Sequence, residues 1–287
     1  MYAFIDYNRG RYPIELMART LKIAPRSYYH YRLGRMALRS QRREAIEKLI
    51  QREYATAKGR YGSPRLAVEI STKYNYISAR TIAKYMTAMG LRSKLCRRFK
   101  NVNRVQYSLR IAPNHLNREF EVDAPCKVWV SDITYIETMH GFRYLTTVID
   151  LFDRKVIGWA LSSTMTAQAT SVAAYKVAIK SRRPQPGMLF HSDQGVQYAC
   201  SEFRNALDSS IIQSMSRRGN CWDNAVAESF FKSLKCELIY GDKLMTEKEL
   251  GIKIFEYIEL FYNKTRRHSA LKNMSIDEFW NNMKSVA

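Results

Sequence analysis

The sequence has no uninterrupted apolar run of about 18 residues, the least that a membrane-crossing helix needs. Its start, MYAFIDYNRGRYP, lacks the basic-then-apolar form of a signal peptide. A cytoplasmic, unprocessed chain with no membrane partner is therefore expected. The 5 cysteines, at positions 96, 126, 200, 221 and 236, include no Cys-x-x-Cys spacing and no partnered histidine pair. Neither a zinc site nor a disulfide framework is indicated, and scattered free thiols fit a reducing compartment. No heptad run marks a coiled coil. Acids are scarce in one half only: residues 1–110 hold 25 Lys and Arg against 6 Asp and Glu, so +19 of the formal +21 lies there. A cationic half joined to a near-neutral one predicts one region that holds a polyanion and another that does something else.

An apolar fraction of 46% with 25% charged residues is that of an ordinary folded protein, and 287 residues leave room for two domains. From Pro13, PIELMARTLKIAPRSYYHYRLGR reads as two short helices around a break near Ile23 to Pro25, the pattern of a helix-turn-helix. Residues 37–57 form a connecting helix with apolar positions Ala45, Leu49, Ile50 and Tyr54. The stretch 60–91 repeats the helix-turn-helix logic. Ser78 caps its second helix, Gly90 ends it, and Arg80 and Lys84 share one face that could meet DNA phosphates or bases. Residues 92–110 carry seven bases, Arg97 and Arg98 among them, and no acid, as expected of an arm laid along a phosphate backbone.

The texture changes near Ala124-Pro125. KVWVSDITYIE, FRYLTTVIDL and KVIGWALS read as a three-stranded antiparallel meander. A helix from Thr166 to Lys180, the strand MLFH, the helix SEFRNALDS and the strand IIQSMS follow, and a long helix covers 221–240. The order βββαβαβα predicts an α/β mixed sheet with helices on its faces. The expected organisation is an N-terminal helical region (1–60), a second helix-turn-helix-like region (61–91), a basic linker arm (92–125), a core (126–245) and a helical tail (246–287).

In the long helix, Asn220 can cap the start, with Asp223 three residues on, and Gly241 the end, and Ala227, Phe231, Leu234 and Leu238 form the core-facing stripe. Asn224, Glu228 and Lys235 run along its edge, so Glu228 can face a cleft. Asp132 lies inside an apolar strand, where an unpaired carboxylate is costly and more often functional. Asp193 follows another short apolar run. Three carboxylates on rigid elements suit oxygen-seeking divalent ions, and two such ions overcome the charge repulsion and poor leaving group of a phosphodiester. Spacing alone does not select this triple among 26 acids. Asp150 and Asp153 flank a turn and are expected to cap it or pair with Arg154. Asp208 is expected to be solvated. Arg217 and Arg218, ahead of the helix, are candidate DNA contacts, whereas Trp159 and Trp222 are expected to pack. His191 either orients Asp193, contacts phosphate or is an ordinary strand-end histidine. Arg266, Arg267 and His268 either bind phosphate or form a solvated cluster.

The words VWVSDITYI, VIDLFDRKVIGWALS, HSDQGVQY, SMSRRGNCWDNAVAESFFKSLKCELI and YNKTRRHSALKNMS resemble the OrfB-type transposases of bacterial insertion sequences, over about residues 61–280. The resemblance implies a ribonuclease-H-like catalytic domain of the retroviral-integrase (DDE) group. It matches Asp132, Asp193 and Glu228 to that family's metal ligands for two Mg2+ (or Mn2+) ions, and Lys235 to its substrate-contacting base. It further implies double-stranded DNA as partner, a homo-oligomer on DNA, a separate upstream-frame OrfA partner or fusion, and action at the bacterial nucleoid. The implied activity is cleavage at element ends and 3′-hydroxyl strand transfer. The rivals are a related-fold nuclease that does not join, and a DNA-binding regulator with a retained integrase fold. Two departures stand out: 34 residues separate Asp193 from Glu228, one fewer than the family pattern, and Ile276 stands where the family commonly has proline.

Overall fold

The computed structural model describes residues 1–73, 76–94, 111–240 and 242–286. Arg97 and Arg98 lie outside the described residues. The chain divides into two compact units, Met1–Ser93 and Lys94–Ala287.

The first unit is all helical. Helices α1 (Tyr2–Asn8), α2 (Ile14–Thr20) and α3 (Pro25–Arg32) enclose a small core of Ile5, Met17 and Tyr28. The Tyr28 hydroxyl satisfies itself by donating to Asp6 at 2.7 Å. α4 (Arg35–Thr56) buries Ile46, Ile50 and Glu53, with Ala57 just beyond its end. The expected stripe sits about one residue out of phase, because Ala45 is exposed and Leu49 only half-buried. α5 (Ser63–Lys73) and α6 (Ala79–Ala88) form the second helical pair through Leu66, Ile70, Ile82 and Met86. As expected, the Ser78 side chain caps α6 by accepting the Thr81 N–H, and Gly90 (φ +69°) turns the chain beyond its end. Arg80 and Lys84 are exposed.

In the second unit β1 (Val128–Thr138), β2 (Gly141–Asp150) and β3 (Val156–Ser162) form the antiparallel meander. The chain crosses through α7 (Ser171–Ser181) to β4 (Leu189–Ser192), then through α8 (Val196–Ala199) and α9 (Ser201–Ala206) to β5 (Ile212–Met215). β4 and β5 are parallel to β1, giving the order β3-β2-β1-β4-β5. The pleat alternates side chains between two cores. Val130, Leu145 and Ile149 pack against α10 (Ala225–Leu234) and α11 (Glu247–Phe255), whereas Trp129, Val148 and Phe190 pack against α7, α8 and α9. This is the expected ribonuclease-H-like arrangement, with helices on both faces.

Residues 111–125 also lie on this unit: Leu116 is buried in the α10 core, and the Ala112 and His115 amides bond to β5 side chains. The tail after 245 belongs to the same core, through Leu250, Ile254, Tyr257 and Ile258. Its cluster Arg266, Arg267 and His268 is buried, neither phosphate-facing nor solvated. The Glu237 carboxylate accepts Arg266 Nη2 at 2.8 Å and the Tyr257 hydroxyl at 2.9 Å, Arg267 pairs with Glu278, and His268 Nε2 meets the Tyr262 carbonyl. α12 (Ile276–Val286) is anchored by Trp280 Nε1, which donates to Asp153. Asp150 and Asp153 are fully buried and cap their turn as expected, accepting the Phe152 and Lys155 N–H groups; their charged partner is Arg182, not Arg154, which instead donates to the Phe120 carbonyl. Cys126, Cys200 and Cys221 are free thiols; Cys236, expected free, is disulfide-bonded.

Two stability measurements follow from this packing. A Cβ added at Gly158 on β3 would come within 2.4 Å of the Ala174 carbonyl oxygen on α7, so Gly158→Ala forces sheet and helix apart. Urea unfolding is expected to show a loss of roughly 1–3 kcal/mol, the usual cost of overpacking. Glu237→Gln leaves the buried Arg266 guanidinium without its counter-charge, and the same assay is expected to show a loss of about 3–5 kcal/mol.

Candidate active site

The parallel pairing of β1 with β4 sets Ser131 opposite Ser192. The next residue on each side is an acid: Asp132 continues along β1, paired with Thr147 of β2, and Asp193 follows the end of β4, so both lie where the β1–β4 pairing ends, half-buried. Tyr198 of α8 stands between these supports, its hydroxyl 2.7 Å from Ser131 Oγ. Burial first, then the charges of Asp132 and Asp193, hold its phenol well above the ordinary tyrosine value. Asp132 Oδ1 accepts the Ile133 N–H at 2.8 Å, and Asp193 Oδ1 accepts the Gly195 N–H at 2.9 Å. A Cβ on Gly195 would lie 2.8 Å from that same Asp193 oxygen, so only glycine permits this approach. Gln194 closes the turn by donating to the Ser216 carbonyl.

His191 acts as a buttress. Ser214 Oγ accepts the N–H groups of His115 and Leu116, so its own proton goes to His191 Nδ1 at 2.8 Å. The other ring nitrogen therefore carries the imidazole proton and donates to Ser216 Oγ at 3.2 Å. Burial lowers the imidazole to about 4, which keeps it neutral. Fully enclosed, it does not face phosphate.

The third acid comes from the helix. A 3-10 turn, Cys221–Asn224, leads into α10, and a π turn, Lys235–Ile239, continues it. Asn224 Nδ2 donates to the Ser131 carbonyl at 3.0 Å, tying the start of the helix to the strand residue before Asp132. Ala227, Phe231, Leu234 and Leu238 are buried as expected, and Glu228 is exposed in the first turn of α10, where the helix dipole favours an anion. Asn220, the expected cap, makes no capping bond, and the 3-10 turn takes its place; Gly241 lies outside the described residues. Lys235 opens the π turn half-buried, with Nζ 5.1 Å from the Tyr135 ring centroid. Burial lowers its ammonium below the ordinary lysine value, and Asp132 opposes that shift. Among the described residues no three His, Cys, Asp or Glu side chains are gathered closely enough to hold a metal ion. The donors themselves, all carboxylate oxygens, suit a hard divalent cation.

Sequence reasoning gave Asp223 only a part in the helix cap and missed its place between two arginines. It is fully buried in the 3-10 turn and accepts five N–H groups: Asn114 Nδ2 at 3.0 Å, Arg118 Nε at 2.8 Å, and the Arg217 backbone N at 2.9 Å, Nε at 2.8 Å and Nη2 at 2.8 Å. Bonds from Arg217, then Arg118, hold its carboxyl far below the usual carboxylate range. Arg217, expected to face DNA freely, is thus pinned to a neighbour; Arg218 is exposed. Trp222, expected to pack, is 69% exposed, whereas Trp159 is half-buried and donates to Glu259. Only the burial of Asp223 between two basic segments reveals its role, and those segments are about a hundred residues apart in the chain.

Comparison with known proteins agrees with this architecture. The integrase core domain family matches residues 122–221 and again 228–283, and the HTH-like domain family matches residues 41–100. The chain is 35% identical over 283 residues to "Transposase InsF for insertion sequence IS3A" of Escherichia coli (strain K12), covering 98% of both chains. It is 40% identical over 239 residues to "Transposase for insertion sequence element IS904" of Lactococcus lactis subsp. lactis (strain IL1403), covering 83% of this chain and 94% of that one. Among solved structures, the catalytic core domain of BIV integrase is similar with a TM-score of 0.40 and 16% identity, over 56% of this chain and 97% of that one. With integrase-core and helix-turn-helix-like domains and near-complete coverage of its relatives, the chain belongs to the insertion-sequence transposases of the IS3 type.

Proposed function

We propose that the chain cuts DNA at the ends of its insertion sequence and joins the freed 3′-hydroxyl to a new phosphodiester. The β1–β4 register carries this reading, because it places Asp132 beside Asp193 with the Glu228 helix tied to the same strand. Asp132, Asp193 and Glu228 would hold magnesium or manganese, two ions per site, whose Lewis acidity activates the attacking oxygen and neutralises charge on the leaving one. The residues around them keep this set in place. Gly195 and Ile133 amides orient the two strand carboxylates, His191 and Gln194 brace the loop that carries Asp193, and Asn224 fixes α10. In the first step water attacks the end phosphodiester and a 3′-hydroxyl leaves; in the second that hydroxyl attacks target DNA. Positioning does this work, and no covalent enzyme intermediate is needed.

Lys235, whose ammonium feels the Asp132 charge, would meet the DNA strand entering the site. Arg80 and Lys84 on α6, the basic run with Arg97 and Arg98, and Arg217 with Arg218 supply further DNA contacts. Holding two element ends together calls for a homo-oligomer on double-stranded DNA, and an upstream-frame partner or fusion would add further end recognition. The protein would work at the bacterial nucleoid.

The test is a strand-transfer assay with a pre-cleaved end, alongside a cleavage assay with an intact end, both in magnesium. Asp132→Asn, Asp193→Asn and Glu228→Gln are each expected to lose both activities by two or more orders of magnitude while still binding DNA. Normal activity in all three would end the assignment, and cleavage without joining by the unmodified protein would make it a nuclease.

A further inference from the structure

We infer that Arg118 and Arg217, oriented by the buried Asp223, form a seat for one DNA backbone phosphate beside the catalytic helix. The inference rests on the transposase reading above and adds a site to it. Two guanidinium groups converge on one carboxylate, so the cluster carries a surplus positive charge. Asp223 is fully buried, while the Arg118 and Arg217 side chains are 44% and 51% exposed. Their inner nitrogens are occupied and their outer edges face solvent.

Among the described residues Arg118 gives only Nε to Asp223, leaving both terminal nitrogens unused, and Arg217 gives Nε and Nη2, leaving Nη1. A planar guanidinium fixed along one edge presents its remaining N–H groups in the fork that a phosphate oxygen pair accepts. The backbone is shaped for this purpose. Asn117 (φ +45°) and Arg118 (φ +66°) are successive left-handed residues without a glycine, a conformation that L side chains rarely adopt. Asn114 holds that turn from inside: its Oδ1 accepts the Asn117 N–H while its Nδ2 donates to Asp223.

The position matters as much as the chemistry. Asp223 lies five residues before Glu228, in the 3-10 turn that continues into α10, and the neighbouring Asn224 is bonded to the Ser131 carbonyl next to Asp132. A phosphate on the two arginines would therefore lie at the start of the helix that carries Glu228. Because Asp223 remains charged throughout the neutral range, the seat is organised before DNA arrives and no side chain must be recruited.

The test uses the full chain and short duplexes ending in the terminal repeat read from the DNA flanking the gene, with binding followed by fluorescence anisotropy across a salt series. Arg118→Gln is expected to weaken binding roughly five- to tenfold and to reduce the salt slope by about one. Arg118→Lys, which keeps the charge, should recover part of the slope. Neutral methylphosphonates, placed singly around the cleaved position, should reproduce the loss at one position with the unmodified protein and cause a clearly smaller further loss there with Arg118→Gln, in which Arg217 alone remains. Unfolding temperatures of both variants separate a loss of seat from a loss of fold. Unchanged affinity and slope in Arg118→Gln, or a methylphosphonate penalty equal in both proteins at every position, would overturn the inference. Neither result touches the catalytic reading, which stands or falls on the three acids.

Discussion

The pairing of β1 with β4 is the constraint on which the site depends. It is parallel, central to the sheet and covered on both faces, so a slip of one residue would turn Trp129 and Val130 to the wrong cores. The same register that satisfies those apolar residues places Asp132 and Asp193 together at the end of the paired segment. A strand edge in this position offers carboxylates a rigid base without burying them, and both remain half-exposed where a substrate can reach them. Packing thus fixes the chemistry: the hydrophobic requirement is strong and non-directional, and the hydrogen-bonded ladder converts it into side-chain positions.

Around that pair, buried polar residues take up the positioning that apolar packing cannot supply. Three buried or nearly buried acids, Asp153, Asp223 and Glu237, each hold an arginine from another part of the chain, Arg182, Arg118 and Arg266 in turn. Asp153 joins α7 and α12 to the turn after β2, Glu237 joins the π turn beyond α10 to the tail, and Asp223 joins residues 114–118 to the 3-10 turn that opens α10. Each contact would be expensive unpaired and is specific when paired. Together with the His191–Ser214–Ser216 network, they brace the two segments that carry Asp193 and Glu228.

Much of this was readable in the sequence. β-branched and aromatic segments marked the first three strands and short runs the other two, helical spacing placed Ala227, Phe231, Leu234 and Leu238 in the core, and Ser78 and Gly90 bounded α6, because these signals are local. What the sequence hid is pairing between distant residues. Basic residues looked alike as letters, yet Arg182 and Arg266 serve buried carboxylates, the buried Arg267 pairs with the half-exposed Glu278, and Arg217 divides itself between Asp223 and solvent. The acids Asp150 and Asp153 found Arg182 across the fold instead of the adjacent Arg154. The same limit applies to the long helix: composition suggested one continuous element, and the observed 3-10, α and π segments reflect bonds to Ser131 and around Glu237 that spacing cannot encode.

The central claim is that Asp132, Asp193 and Glu228 act as one metal-holding set. Anomalous diffraction from crystals of the full chain grown with manganese and a cleaved element end measures this directly. The account predicts manganese peaks within coordinating distance of all three carboxylates, with the Glu228 side chain drawn toward the two strand acids. Manganese bound elsewhere, or bound by the strand acids with Glu228 still directed to solvent, would contradict it.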